Sequence, residues 1–153
     1  GWGADALTDA IDRSPHRGRI QRLGWVDDHD RAALLHGATV FAFPSVYEGF
    51  GIPPLEAMAA GTPVVATAAG ALPHTVGDAA VLVPPGDLDA LTAALHRVVT
   101  DDELRARLIA RGPANVARFS WSRTVDELVA LYRRAAAERH RRGARTAPPG
   151  RVS

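Results

Sequence analysis

The sequence predicts an α/β fold, a doubly wound parallel sheet, and three observations predict it. The runs "TVFAFP", "PVVAT" and "AVLVP" are apolar on both faces, as strands of a parallel sheet covered by helices must be. Around them lie segments whose apolar residues recur at spacings of three and four. Glycine and proline mark nearly every junction, so strand and helix alternate along the chain.

The elements follow in order. From Ala4 to Asp12, Ala6, Leu7, Ala10 and Ile11 form one helical stripe. "SPHRG" breaks it, and "RIQRLG" from Arg19 reads as a short strand ended by Gly24. "VDDHDRAALLHGA" reads as a helix capped by Asp27 or Asp28 and closed by Gly37. "TVFAFP" reads as a central strand that Pro44 ends, followed by a helix from about Pro53 to Ala60. That helix has proline in its first turn, with Gly61 and Pro63 as stop signals. "PVVAT" and "AVLVP" are further buried strands, with "GALPHTVGDAA" as the loop between them. "GDLDALTAALHRVV" is a helix capped by Asp87. "TDDE", Thr100 to Glu103, has capping-box spacing before a helix that Gly112 and Pro113 should interrupt or kink. Ser120 caps the last helix, and from about Arg141 the chain is too polar and proline-rich to pack, a tail over 141–153 behind one domain over 1–140.

Composition narrows the function classes. With 153 residues and 46% hydrophobic content the chain suits one domain. All eighteen basic residues are arginine, yet the net charge is +1, so no global field argues for nucleic acid as a partner. The chain has no cysteine, hence no thiolate nucleophile and no cysteine-type zinc site, which fits a reducing, cytoplasmic setting. No apolar run approaches the roughly 18 residues of a membrane span.

The chemistry concentrates in "EGFGIPPLE", at the carboxyl end of a predicted strand, where ligands of such sheets bind. Gly49 and Gly51 let backbone N–H groups approach a ligand, and a helix start behind them suits phosphate or pyrophosphate. Glu48 precedes this nest and Glu56 falls on the first turn of the helix. Carboxylates there suit hydroxyls, so Glu56 could hold a ribose and Glu48 a second sugar. A tight turn with two solvated acids is the competing reading.

"PSVYEGFGIPPLEAMAAGTPVVAT" resembles the E-x7-E signature of the family-4 retaining glycosyltransferases of GT-B fold, Glu48 and Glu56 being its two glutamates. The likeness runs from "RIQRLGWVDDHDRAALLHGATVFAFPS" to "RFSWSRTVDELVALYR", so nearly the whole chain looks like the Rossmann-like, C-terminal, donor-binding domain of that family. "YEGFG" and "FSW" look closest to its mannosyltransferase branch.

The resemblance implies a role for each matching position. Glu48 would bind hydroxyls of the transferred hexose and is the catalytic candidate. The backbone of Gly49, Phe50, Gly51 and Ile52 would hold diphosphate and sugar. Glu56 would bind the ribose, Leu55 would pack beside the nucleoside, and the backbone around Trp25 and Val26 would meet the base. The substrate would be a nucleotide-diphospho-sugar, GDP-mannose by branch resemblance. Transfer would keep the anomeric configuration, with no carboxylate nucleophile, no metal and no cofactor. The acceptor would be a glycan or lipid-linked hydroxyl held by an N-terminal domain that this chain lacks. Family members also begin the donor domain with a strand, a helix, a further strand and a basic pair, so the resemblance implies an N-terminally truncated domain with an unpaired sheet edge. An isolated chain of this kind would transfer no sugar.

Other candidates carry less. The histidines at 16, 29, 36, 74, 96 and 140 never pair at H-x-x-x-H spacing, which disfavours zinc. Ser45 lacks a nucleophile-elbow frame. Asp27, Asp28 and Asp30 read as capping and solvating residues. Where the family commonly has glutamate, this chain has His74, either an exposed loop histidine or an altered contact. The arginines from Arg133 to Arg145 read as a solvated tail, with peripheral contact to anionic lipid at the inner membrane face as the alternative. A non-catalytic nucleotide-binding or scaffolding module of the same fold, or a sugar-nucleotide epimerase, remain alternatives to transfer. A phosphorylase would want a lysine for pyridoxal phosphate, and the chain has none.

Overall fold

The computed structural model describes residues 4–146, with side chains for 5–139. The chain divides into two compact units, residues 1–34 and 35–153.

The first unit holds helix α1 (Ala4–Arg13), a single 3-10 turn (Arg17–Arg19) and most of helix α2 (Asp28–Gly37). Asp27 caps α2, its Oδ1 accepting from the Asp30 amide at 2.8 Å, because an aspartate before a helix satisfies one of the orphan N–H groups. The strand expected over Arg19–Gly24 does not form. A strand exists only by pairing, no partner ladder is present among the described residues, and Ile20 and Leu23 stay exposed. The apolar stripe of α1 is likewise largely exposed.

The second unit is a three-stranded parallel sheet in the order β1-β2-β3: β1 (Phe41–Phe43), β2 (Val64–Thr67) and β3 (Ala80–Val83). Phe41 lies opposite Val64, and Val64 opposite Ala80, with the register running on to Thr67 against Val83. "PVVAT" supplies the central strand, all four residues of which are buried. The expectation that "TVFAFP" is central is corrected: β1 lies at one edge of the described sheet, and Ala42 is exposed. Apolarity on both faces is shared by central and edge strands, and only the neighbours decide between them.

Parallel pairing requires a crossover, and helices cover both faces. On one face, α3 (Ile52–Ala59) and α4 (Leu72–Val76) pack Leu55, Met58, Leu72 and Val76 on Val64 and Ala66. On the other, α5 (Leu88–Thr100) and α6 (Asp102–Val116) pack Ala94, Val98, Leu104 and Leu108 on Val65 and Val83. Alternate residues of β2 thus serve opposite cores, as a period of two dictates. Each fully buried valine or leucine contributes roughly 1.5–3 kcal/mol.

Several boundaries move. "GALPHTVGDAA" is not all loop, since it contains α4, a five-residue helix that was not foreseen. Asp87 caps α5 as expected, accepting from the Ala90 amide at 2.8 Å. Asp101, not Thr100, caps α6, its Oδ1 taking the Leu104 amide at 2.8 Å; the Thr100 hydroxyl donates back to His96 O and closes α5. Gly112 and Pro113 do not interrupt α6, which runs unbroken to Val116 because Leu104, Leu108, Gly112 and Asn115 bury one face across that point. Ser120 caps α7 (Trp121–Thr146) through the Arg123 amide at 3.2 Å. This helix continues through the start of the segment read as a tail, as its run of alanine, arginine and glutamate favours. Residues 147–153 lie outside the described residues.

Candidate functional site

Two chain reversals meet at the carboxyl ends of β1 and β2. After β1, residues 44–51 lead into α3; after β2, residues 68–71 lead into α4. The two are knitted together. Thr67, at the end of β2, donates its hydroxyl to Ser45 O, and the Ala71 amide donates to Glu48 O at 3.0 Å. Gly70, at φ +54°, lies so close that a Cβ would collide with the Glu48 carbonyl oxygen. A left-handed conformation and this approach together require glycine there.

Glu48 is therefore fixed through its main chain, and its side chain is fixed as well. Ser45 Oγ donates to Glu48 Oε1 at 2.9 Å, with Tyr47 O as a second acceptor at 3.1 Å for the same single hydrogen. A carboxylate accepts several hydrogen bonds at once, so Glu48 keeps capacity for a hydroxyl ligand.

Gly51 is the residue before α3, with φ +97° and ψ 52°, and a Cβ there would stand 2.6 Å from Leu72 Cδ2. Among the described residues, the amides of Gly49, Phe50 and Gly51 donate to no protein acceptor. The helix start adds less than expected. Of Ile52, Pro53 and Pro54, which open α3, only Ile52 carries an N–H, so the donors of this corner belong mainly to the loop. Glu56 also shifts: it is the fifth residue of α3, one turn in from the start, and half-buried.

The carbonyl of Phe50 accepts from the Thr75 hydroxyl at 2.5 Å, and its ring meets Phe119 edge-on with centroids 5.3 Å apart. His74 is exposed, in α4 and not in a loop; its ring lies 6.3 Å from that of Phe119 and its carbonyl accepts from Arg118 at 3.3 Å.

The structure thus brings together Glu48, Gly49, Phe50, Gly51 and Ile52 around one corner, with Glu56 a turn along the helix. Leu55 turns into the hydrophobic core and is 8% exposed, so its side chain belongs to packing. Trp25, 88% exposed, and Val26, half-buried, belong to the other unit. Sequence reasoning missed Gly70, Thr75, Asn115 and the support that Ser45 provides. A signal existed for Asn115: it sits in register with Leu104 and Leu108 on an otherwise apolar stripe. Among the described residues, one group of metal-ligating side chains comes close together, the exposed Asp27, His29 and Asp30, away from this corner in sequence. No described helix is long and apolar enough to cross a membrane.

Comparison with known proteins gives a consistent family likeness. The model for glycosyl transferases group 1 matches residues 5–115. O-antigen chain mannosyltransferase B of Escherichia coli is 40% identical over 133 residues, which is 87% of this chain and 35% of the relative. MMP alpha-(1->4)-mannosyltransferase of Mycolicibacterium hassiacum is 45% identical over 116 residues, 73% of this chain and 28% of the relative. Among solved structures, sucrose-phosphate synthase from Thermosynechococcus elongatus superposes with a TM-score of 0.76 at 32% identity, over 88% of this chain and 34% of that one. The chain spans about a third of the length of the relatives it matches.

Proposed function

Because the chain belongs to the glycosyl transferases group 1 family, we propose that it forms the donor-binding part of a retaining hexosyltransferase. It takes a hexose from a nucleotide-diphospho-sugar to a hydroxyl of a glycan or lipid-linked acceptor held elsewhere in the whole protein. The donor we assign is GDP-mannose, supported by the mannosyltransferase names of its relatives. One observation carries the reading: three consecutive loop amides without protein acceptors, Gly49 to Gly51, at the carboxyl end of a parallel strand, with Glu48 beside them and Glu56 in the helix they open.

In this reading the amides of Gly49, Phe50, Gly51 and Ile52 receive the diphosphate. Negative charge grows on that group as the bond from the anomeric carbon to the diphosphate oxygen breaks. Donors already held in place stabilise it without moving, and they do so with no metal ion. Glu48, oriented by Ser45, accepts from hexose hydroxyls, and Glu56 accepts from the ribose. The acceptor hydroxyl attacks from the face the diphosphate leaves, so configuration is retained. Leu55 backs the nucleoside through the core it belongs to. The exposed Arg133, Arg134 and Arg139 of α7 suit an anionic lipid surface if the acceptor is membrane-borne.

Titration of the whole protein with GDP, UDP and their hexose conjugates tests this division of labour. Glu56→Ala should weaken even the bare nucleotide by about 1.5–3 kcal/mol, the value of a charge-assisted contact. Glu48→Ala should spare the nucleotide and weaken only the sugar conjugate. Equal losses for both ligands in both variants would contradict the assignment.

A further inference from the structure

We infer that Thr75, anchored by Asn115, is a positioning residue that aims the Gly51 amide into the diphosphate cradle. The proposal rests on the reading of that loop as a cradle, and it assigns a role to two residues outside the E-x7-E segment.

The Phe50 carbonyl and the Gly51 N–H belong to one rigid, planar unit and point in opposite directions. The Thr75 hydroxyl holds that carbonyl at 2.5 Å on the α4 side, so the Gly51 N–H is turned the other way. Leu72 closes the space behind Gly51, and the plane cannot rotate freely against it. Thr75 is fully buried, so no water competes for the carbonyl.

Thr75 is itself held. Asn115 Nδ2 donates to Thr75 O at 2.9 Å, and Asn115 Oδ1 accepts from Arg118 Nη1 at 2.8 Å, which fixes which end of the amide faces α4. α4 is only five residues long, and the Thr75 carbonyl lies in its last turn, where helical partners run out. Asn115 is 6% exposed, among Leu104, Leu108 and Gly112 on the buried face of α6. A polar side chain there is unfavourable unless its hydrogen bonds are made, and a leucine would serve packing alone. The relay therefore runs from α6 through α4 to the loop: Arg118 to Asn115, Asn115 to the Thr75 carbonyl, the Thr75 hydroxyl to the Phe50 carbonyl.

The competing role is structural, with Asn115 and Thr75 merely closing α4. The test separates the two. In the whole protein, Thr75→Val keeps shape and removes the hydroxyl, and Thr75→Ser keeps the hydroxyl. Measurements are the melting temperature, hydrogen exchange of the Gly51 amide with GDP bound, and affinity for GDP and UDP against guanosine and uridine. Thr75→Val should weaken the diphosphates roughly five- to tenfold, the loss of one hydrogen bond, leave the nucleosides unchanged and speed Gly51 exchange; Thr75→Ser should restore all three. Asn115→Leu should lower the melting temperature and, where still folded, weaken the diphosphates in the same direction. A Thr75→Val protein that melts earlier but keeps wild-type diphosphate affinity and exchange overturns the role. Wild-type protein that binds neither diphosphate overturns the cradle reading, and the positioning role falls with it.

Discussion

Gly70→Ala probes the joint between the two loops. Two effects add. A non-glycine residue in the left-handed region is disfavoured by about 1–2 kcal/mol, and Gly70 sits at φ +54°. The new Cβ would also lie on the Glu48 carbonyl and 3.0 Å from the Glu48 amide nitrogen, so the loop must move away. Moving it breaks the Ala71 to Glu48 hydrogen bond, worth about 1 kcal/mol. The sum, roughly 2–3 kcal/mol, corresponds to about 4–12 °C in melting temperature for a chain of this size. Circular dichroism at fixed protein concentration reads that shift. Affinity for a sugar nucleotide should fall in parallel, because Glu48 is the residue displaced, while affinity for the bare nucleoside diphosphate should fall less. A Gly70→Ala protein that melts with the wild type would refute the reasoning, since it would mean that the carbonyl and the glycine are not in contact.

Three further outcomes follow from the same geometry. Gly49→Ala meets no atom within 4 Å and has no positive φ, so it should melt at or slightly above the wild-type temperature; diphosphate affinity should nevertheless fall, because the methyl group occupies the approach, and unchanged affinity would remove Gly49 from the cradle. Ser45→Ala should leave the bare nucleotide unaffected and weaken the sugar conjugate, since the carboxylate of Glu48 loses its 2.9 Å donor; comparison by calorimetry checks it. Asp101→Ala removes the cap of α6 and should destabilise the protein by about 1 kcal/mol without altering ligand selectivity, which chemical denaturation measures.

What was legible in the chain depended on how local the cause was. "PVVAT" declared itself because a strand buried on both faces is apolar throughout, and Pro53, Gly61 and Pro63 bracketed α3 to within a residue. Asp87 and Ser120 act on amides three residues away, and both caps were foreseen. Causes that reach across the fold were not. The edge position of β1 is a property of its neighbours, and "RIQRLG" has the composition of a strand with no ladder to join among the described residues. α4 is too short to show a period, although Leu72 and Val76 are one turn apart around Pro73. At the site, the two glutamates and the glycine loop were readable because they are contiguous. Gly70, Thr75 and Asn115 act on that loop from twenty to more than sixty positions away, and nothing in their immediate surroundings announces it.

Pro53 and Pro54 have one more effect. Each ring restricts its own backbone torsion before the chain has folded as well as after, so the entrance to α3 has little freedom left to surrender. A corner stiffened by covalent rings keeps nearly the same outline whether vacant or filled. A ligand seated there as proposed would therefore have to fit an outline that the chain sets in advance.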